Sequence, residues 1–344
     1  MLYHIRFYKV PTISIDSKKD LVLKSVITIT NDLGDKFFFG NVNLKVDIGV
    51  GLNPILLSWT SGMQSCNLNI PIPKRTKSIS VNVIAEISSL DDVLEENPQF
   101  LRLKTLPFKL PSGTCERVSI RYDLLHPPAT QSNNGSESID RSTDKLARPQ
   151  LTIAEEAGSN NLARHVWDAG LATCQWLVDN RTVSQRKLLG SPRTIVELGT
   201  GCGLVGLALS KLFIDSKVIL TDLEDANEIC NRNIQLNIAQ TNKRKRDVHN
   251  VAFQVFDWDS DETPVEKDKI DLVVVTDCTY NPSSYDSLLK ALSIVTRTGT
   301  KILLAHKYRD PDEEEFFKRL TFKKLLDTTV DYYSQSVRLL VMEA

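Results

Sequence analysis

The sequence predicts an α/β protein, a doubly wound and largely parallel sheet preceded by a smaller β-rich domain. Three patterns carry this reading. Over 1–125, short runs alternate apolar with polar residues, the mark of strands with one buried and one wet face. Over 161–344, short apolar runs alternate with helical patterns, as in a sheet whose parallel strands are joined by crossover helices. Between them, 126–150 is polar, small and turn-rich, and a flexible linker is expected over 126–160. The expected organisation is therefore a β-rich sandwich or barrel at 1–125, a linker at 126–160 and a Rossmann-like domain at 161–344.

In the first domain Val42, Leu44, Val46 and Ile48 alternate with Asn43, Lys45 and Asp47. Ile79, Val81, Val83, Ala85 and Ile87 repeat the pattern, as do Val118, Ile120, Tyr122 and Leu124. Turn-formers separate the runs at Asn31-Asp32-Leu33-Gly34, at 49–54 and at Pro71-Ile72-Pro73. No catalytic constellation is visible in this half. His4 and His126 stand alone and read as structural.

The second half opens with Val166, Trp167, Gly170, Leu171, Cys174, Leu177 and Val178 at three-and-four spacing, which predicts an amphipathic helix. Strands are expected at 194–198, 217–221, 252–256, 271–276 and 301–305, with helices at 204–212, 225–238 and 284–292. Pro311 followed by Asp312, Glu313, Glu314 and Glu315 predicts another helix start, with acids complementing the dipole. The runs at 325–332 and 336–342 read as strands closing the sheet.

Composition narrows the function classes. Hydrophobic content of 41% and charged content of 25% are those of an ordinary globular protein. No apolar run of about 18 residues is present, so no membrane association is expected. The N-terminus lacks the basic and apolar regions of a secretory signal. Six scattered cysteines without a C-x-x-C pair predict neither disulfides nor a metal site and suit a reducing compartment, cytoplasmic and also nuclear. A net charge of −1 argues against a nucleic-acid partner. The run Lys243-Arg244-Lys245-Arg246 reads as a solvated loop between a helix and a strand, with a nuclear-import signal or a contact for an acidic partner as the alternatives.

The chemistry concentrates at strand ends, where ligands bind in open α/β sheets. An apolar strand ends in Glu197-Leu198, and Gly199-Thr200-Gly201-Cys202-Gly203 then opens into an apolar helix. Such an elbow exposes backbone N–H groups to a nucleotide-like cofactor. The elbow fits two patterns at once. Glu197 before Gly199-x-Gly201-x-Gly203 suits S-adenosylmethionine, and Gly201-x-Gly203-x-x-Gly206 suits a dinucleotide. Asp222, ending the second strand, suits the ribose hydroxyls of either. Phe256-Asp257-Trp258-Asp259 supplies an acid and an aromatic that can bracket an adenine. Thr276-Asp277-Cys278-Thr279-Tyr280 places an acid and, three residues on, an aromatic at the edge of the sheet. That slot suits alignment of an amine for methyl transfer, whereas hydride transfer would want a His or Lys acid near a substrate-binding Arg.

His165-Val166-Trp167-Asp168-Ala169-Gly170, Glu197 to Gly203, Thr221-Asp222-Leu223, Asp257-Trp258 and Asp277-Cys278-Thr279-Tyr280 together resemble the D-x-x-Y family, methyltransferase family 16. These are seven-β-strand, S-adenosylmethionine-dependent protein-lysine methyltransferases, and the resemblance covers about 160–344. It implies S-adenosylmethionine as cofactor and the following roles. Trp167 would lie against the cofactor, and Glu197, Gly199, Thr200 and Gly201 would belong to its pocket. Asp222 would take the ribose hydroxyls, Trp258 would flank the adenine and Thr276 would contact the cofactor. Asp277 and Tyr280 would form the catalytic slot at the transferred methyl and the incoming lysine. No metal is implied.

The reaction so implied is attack on a sulfonium methyl by a neutral lysine amine, with Asp277 orienting the amine rather than abstracting its proton. The expected partner is a protein presenting a lysine, met by a monomeric enzyme. The alternatives are a small-molecule or nucleic-acid acceptor, a nicotinamide-dependent oxidoreductase, and a non-catalytic adaptor with a relic cofactor site. The β-rich domain is the expected place of substrate selection.

Overall fold

The computed structural model describes residues 2–16, 20–86, 98–105, 108–109, 118–122, 151–156, 161–179, 187–238, 250–333 and 335–344. The first half is a β-sandwich. Strands β1 (Leu2–Ile15), β2 (Leu21–Thr30), β3 (Val42–Asp47), β4 (Ile55–Trp59) and β5 (Cys66–Ile72) are followed by β6 (Ser78–Ile79), β7 (Asn82–Glu86), β8 (Gln99–Leu101), β9 (Leu103–Lys104) and β10 (Phe108–Lys109). One sheet runs β5-β2-β1-β8 and the other β4-β3-β7-β9, while β6 pairs with β10. The period-two pattern explains the packing. Ile5 and Phe7 of β1 and Leu23 and Ile27 of β2 bury against Leu44 and Val46 of β3, Trp59 and Val83.

The remaining strands are β11 (Val118–Tyr122), β12 (Leu151–Glu155), β13 (Thr194–Leu198), β14 (Lys217–Asp222), β15 (Val251–Val255), β16 (Leu272–Thr276), β17 (Lys301–His306), β18 (Lys323–Tyr332) and β19 (Gln335–Glu343). Helices α1 (Asp168–Asp179), α2 (Leu204–Leu212), α3 (Asn227–Ile238), α4 (Tyr285–Val295) and α5 (Glu314–Lys318) lie between them. The seven-stranded sheet has the order β15-β14-β13-β16-β17-β19-β18. Strands β13 to β17 are parallel, and β19 runs antiparallel between β17 and β18. Apolar side chains fill both faces: Ile195, Leu220, Val274 and Leu303 meet α1, α2 and α3, and Val196, Val273, Leu304 and Leu340 meet α4 and α5. The chain winds outward from β13 to β15 and returns to β16 beside β13, so the switch point lies between β13 and β16.

Two expectations are corrected. Within the linker expected at 126–160, Leu151–Glu155 is the fully buried strand β12, paired antiparallel with β11. Its other edge is satisfied by side chains of α3. Asn233 accepts from Ala154 N (2.6 Å) and donates to Ala154 O (3.1 Å), and Asn237 does the same for Thr152 (3.0 and 2.8 Å). These two asparagines, one helical turn apart, stand in for a neighbouring strand, which a short apolar run beside a polar stretch does not announce. Residues 126–150 and 157–160 of the linker and the basic run at 243–246 lie outside the described residues. The second correction concerns α1, which is not amphipathic: nine of its twelve residues are buried, because it packs on α2 and on β17, β18 and β19 together.

Candidate active site

The ten residues predicted from sequence converge on one cavity of ≈ 750 Å³ at the switch point: Trp167, Glu197, Gly199, Thr200, Gly201, Asp222, Trp258, Thr276, Asp277 and Tyr280 all line it. That volume lies within the roughly 300–1,000 Å³ of cofactor sites. The elbow after β13 forms the floor. Gly199 adopts φ +65°, and a Cβ there would stand 2.5 Å from Cys278 Sγ and 3.2 Å from the Trp258 ring. Only glycine lets the turn form while the indole closes over it.

Glu197 braces this elbow from beneath. Its Oε2 accepts from Thr200 Oγ1 (2.6 Å) and from Gly206 N (2.9 Å), and burial pushes the carboxyl up to about 7. Asp222 closes the next side. Its Oδ2 accepts from Gly201 N and its Oδ1 from Leu223 N, both at 2.8 Å. Burial raises its carboxyl above the usual range while those two N–H donors oppose the shift. Gly206, the glycine that completes the dinucleotide pattern, has a packing role: a Cβ there would collide with Leu220 and Glu197.

Across the switch point, β16 delivers Asp277 in the left-handed region at φ +57°, a conformation uncommon for a residue with a side chain. Its N–H donates to Ala305 O (2.8 Å), and only 7% of the residue is exposed. Tyr280, three residues later, is 46% exposed at the cavity mouth. Burial holds its phenol above the usual range, the Asp222 and Asp277 carboxylates add to the shift and Arg309 opposes it. Behind the slot Thr279 Oγ1 meets His306 Nδ1 (2.8 Å), and His306 Nε2 meets Glu313 Oε2 (3.0 Å). Burial lowers the basicity of this imidazole despite its carboxylate neighbours.

The structure adds residues that sequence reasoning missed. Arg309 grips Asp277 with both arms, Nη1 to Oδ1 at 2.8 Å and Nη2 to Oδ2 at 2.6 Å, and lies over the Trp167 ring at 5.7 Å. Lys307 donates to Asp168 Oδ2 (2.6 Å) and to Asp32 Oδ1 (2.9 Å), and His4 Nε2 lies 2.8 Å from Asp168 Oδ1. Lys307 and Arg309 were visible as charges following the strand at 301–305, whereas Asp32 and His4 lie far away in the sandwich and carry no local signal. Among the described residues no group of three His, Cys, Asp or Glu side chains could hold a metal, and no helix is long and apolar enough to cross a membrane.

The chain is similar in sequence to known proteins. A lysine methyltransferase family model matches residues 145–323. The UPF0665 family protein of Schizosaccharomyces pombe is 24% identical over 92% of this chain and 92% of its own length. The protein-lysine N-methyltransferase EFM6 of Saccharomyces cerevisiae is 29% identical over 50% of this chain and 74% of its own. The protein N-lysine methyltransferase METTL21A of Danio rerio is 26% identical over 51% and 74%. The matched span runs from β12 through the glycine elbow and the Asp277–Tyr280 slot into β18. With more than half of its length inside that span, the chain belongs to the lysine methyltransferase family, enzymes that use S-adenosylmethionine to methylate the lysine side chains of proteins.

Proposed function

We propose that Asp277 and Tyr280 receive the acceptor lysine and that the elbow side of the cavity holds the cofactor. The observation that carries this is the Asp277 carboxylate, bent into the cavity at φ +57° with Tyr280 beside it at the mouth. Gly199, Thr200 and Gly201 present the backbone of the elbow, Glu197 braces it, and Asp222 offers carboxylate lone pairs to the ribose. Trp258 and Trp167 supply aromatic walls, and Thr276 closes the end of β16. The side-chain-free cradle at Gly199, the buried acid at Asp222 and the indole at Trp258 fit an adenosine-bearing sulfonium. When bound, S-adenosylmethionine supplies an electrophilic methyl group.

The chain's own residues prepare the lysine. A free lysine has a pKa of about 10.4, so the site must favour the neutral amine. Desolvation in the aromatic mouth does so. Asp277 is engaged on both oxygens by Arg309, which makes it a fixed hydrogen-bond acceptor that orients the amine rather than a proton sink. The Tyr280 phenol stays protonated at neutral pH and can donate a hydrogen bond or present its ring face to the ammonium form. A protein acceptor is favoured by a mouth where the apolar side chains of Leu33, Leu162 and Tyr280 are exposed. Completion of the cavity within one chain, with Leu33 coming from the sandwich, supports a monomeric enzyme. The free thiols of Cys66, Cys174, Cys202, Cys230 and Cys278 support a reducing compartment, cytoplasmic and also nuclear.

The test is Asp277→Ala. Cofactor affinity by calorimetry should stay within about threefold, while methyl transfer should fall by about a hundredfold or more. Transfer at the wild-type rate would remove Asp277 from the slot.

A further inference from the structure

Asp32 sits in the turn after β2, in the sandwich, 245 positions before Asp277 in sequence, and its side chain is only 1% exposed. Its Oδ2 accepts from Arg309 Nη2 at 2.9 Å, and the same Nη2 donates to Asp277 Oδ2 at 2.6 Å. One guanidinium nitrogen thus spends its two protons on two carboxylates from opposite halves of the chain. Nη1 is equally committed, to Asp277 Oδ1 at 2.8 Å and to Lys307 O at 3.2 Å. The Asp32 Oδ1 holds the Lys307 ammonium at 2.9 Å, which fixes the strand end from which Arg309 projects. Leu33, the next residue in the same turn, lines the cavity itself.

From this geometry we propose that Asp32 is a positioning residue for methyl transfer, acting through Arg309 to hold the Asp277 carboxylate in register for the acceptor amine. The sandwich is then a structural part of the catalytic centre. Two physical effects give Asp32 this role. It locks the planar fork of Arg309 in one orientation, so both Asp277 oxygens keep fixed directions. It also shares the positive charge of Arg309, which leaves Asp277 attractive to the acceptor rather than fully neutralised by its partner. A carboxylate that only joined the two halves would need neither the shared Nη2 nor a position behind the reacting acid.

This inference rests on the assignment of the acceptor to Asp277, so the experiment carries both. Asp32→Asn, Asp32→Glu and Asp277→Ala are made in the full chain and assayed with S-adenosylmethionine and a lysine-bearing protein substrate. Asp32→Asn is expected to lower kcat about tenfold with cofactor affinity and acceptor KM each within about threefold, because orientation is felt in the transition state. Asp32→Glu, which keeps the charge, is expected to recover most of that loss. A folded Asp32→Asn protein with wild-type kcat and only a lowered melting temperature would overturn the proposal and leave Asp32 as a structural tie. Should Asp32→Asn fail to fold, Arg309→Lys reads the same link, since it keeps the charge and loses the fork. It is expected to show the same kcat loss, and wild-type kcat would overturn the proposal. An active Asp277→Ala would sink the acceptor assignment itself, whereas an inactive one beside a fully active Asp32→Asn would sink the positioning role alone.

Discussion

Asp277 and Glu197 are both buried acids at strand ends, yet their surroundings give them opposite characters. Asp277 is clamped on both oxygens by the Arg309 guanidinium. Glu197 has only a hydroxyl and an amide on its Oε2, and its carboxyl rises to about 7 because burial outweighs those two bonds. A carboxyl whose folded pKa exceeds its unfolded value binds protons more tightly when native. Its stabilising contribution is then complete below the model-compound value of 4.5 and lost as pH rises through about 7. In the cofactor-free protein this loss should be about 3 kcal/mol. His306, whose basicity burial lowers, changes with the opposite sign near the same pH, so the wild type must be compared with Glu197→Gln. Urea unfolding at about pH 5 and about pH 8 should show the gap between the two proteins moving by that amount against the wild type. Parallel stability curves would contradict it.

At the scale of elements, the site depends on how closely α2 lies against β14. Gly206 lets the helix approach Leu220 and donates its N–H to Glu197, so one residue sets both the packing distance and the brace under the elbow. Gly206→Ala should destabilise the protein by about 2 kcal/mol through overpacking and weaken cofactor affinity, both readable by thermal unfolding with and without ligand. An unchanged melting temperature would show that α2 can shift freely. The asparagine pair on α3 belongs to the same scale: Asn233 also donates to Cys202 O (2.8 Å), tying the edge strand β12 to the elbow.

For the whole molecule, a network of charged side chains joins the sandwich to the seven-stranded sheet at the catalytic end. Asp168 shows what this costs. Burial pushes its carboxyl up, but His4 and Lys307 outweigh that and hold it well below the usual range, so its stabilisation is present at neutral pH and lost on acidification. Asp168→Asn leaves Lys307 short of a buried partner and should cost about 3 kcal/mol in urea unfolding. A change below about 0.5 kcal/mol would mean that water replaces the pair. The same join explains what was legible in the sequence. The sheet, its strand-end acids and the glycine elbow each follow from local patterns, apolar runs ending in Glu197, Asp222 or Asp277. The network that aims Asp277 does not, because Asp32 in an Asn-Asp-Leu-Gly turn looks like any turn former and His4 like any buried histidine. Their roles arise only when folding brings His4 to Asp168 and the turn after β2 to Lys307 and Arg309 beyond the end of β17.

The central claim, a protein-lysine methyltransferase with its acceptor slot at Asp277 and Tyr280, is tested most directly by following the methyl group. The purified chain is incubated with methyl-labelled S-adenosylmethionine and an extract of cells lacking it, and the label is located by mass spectrometry. Label on the Nζ of a lysine in a protein, absent with Asp277→Ala, is the predicted result. Label confined to the small-molecule or nucleic-acid fraction would contradict it.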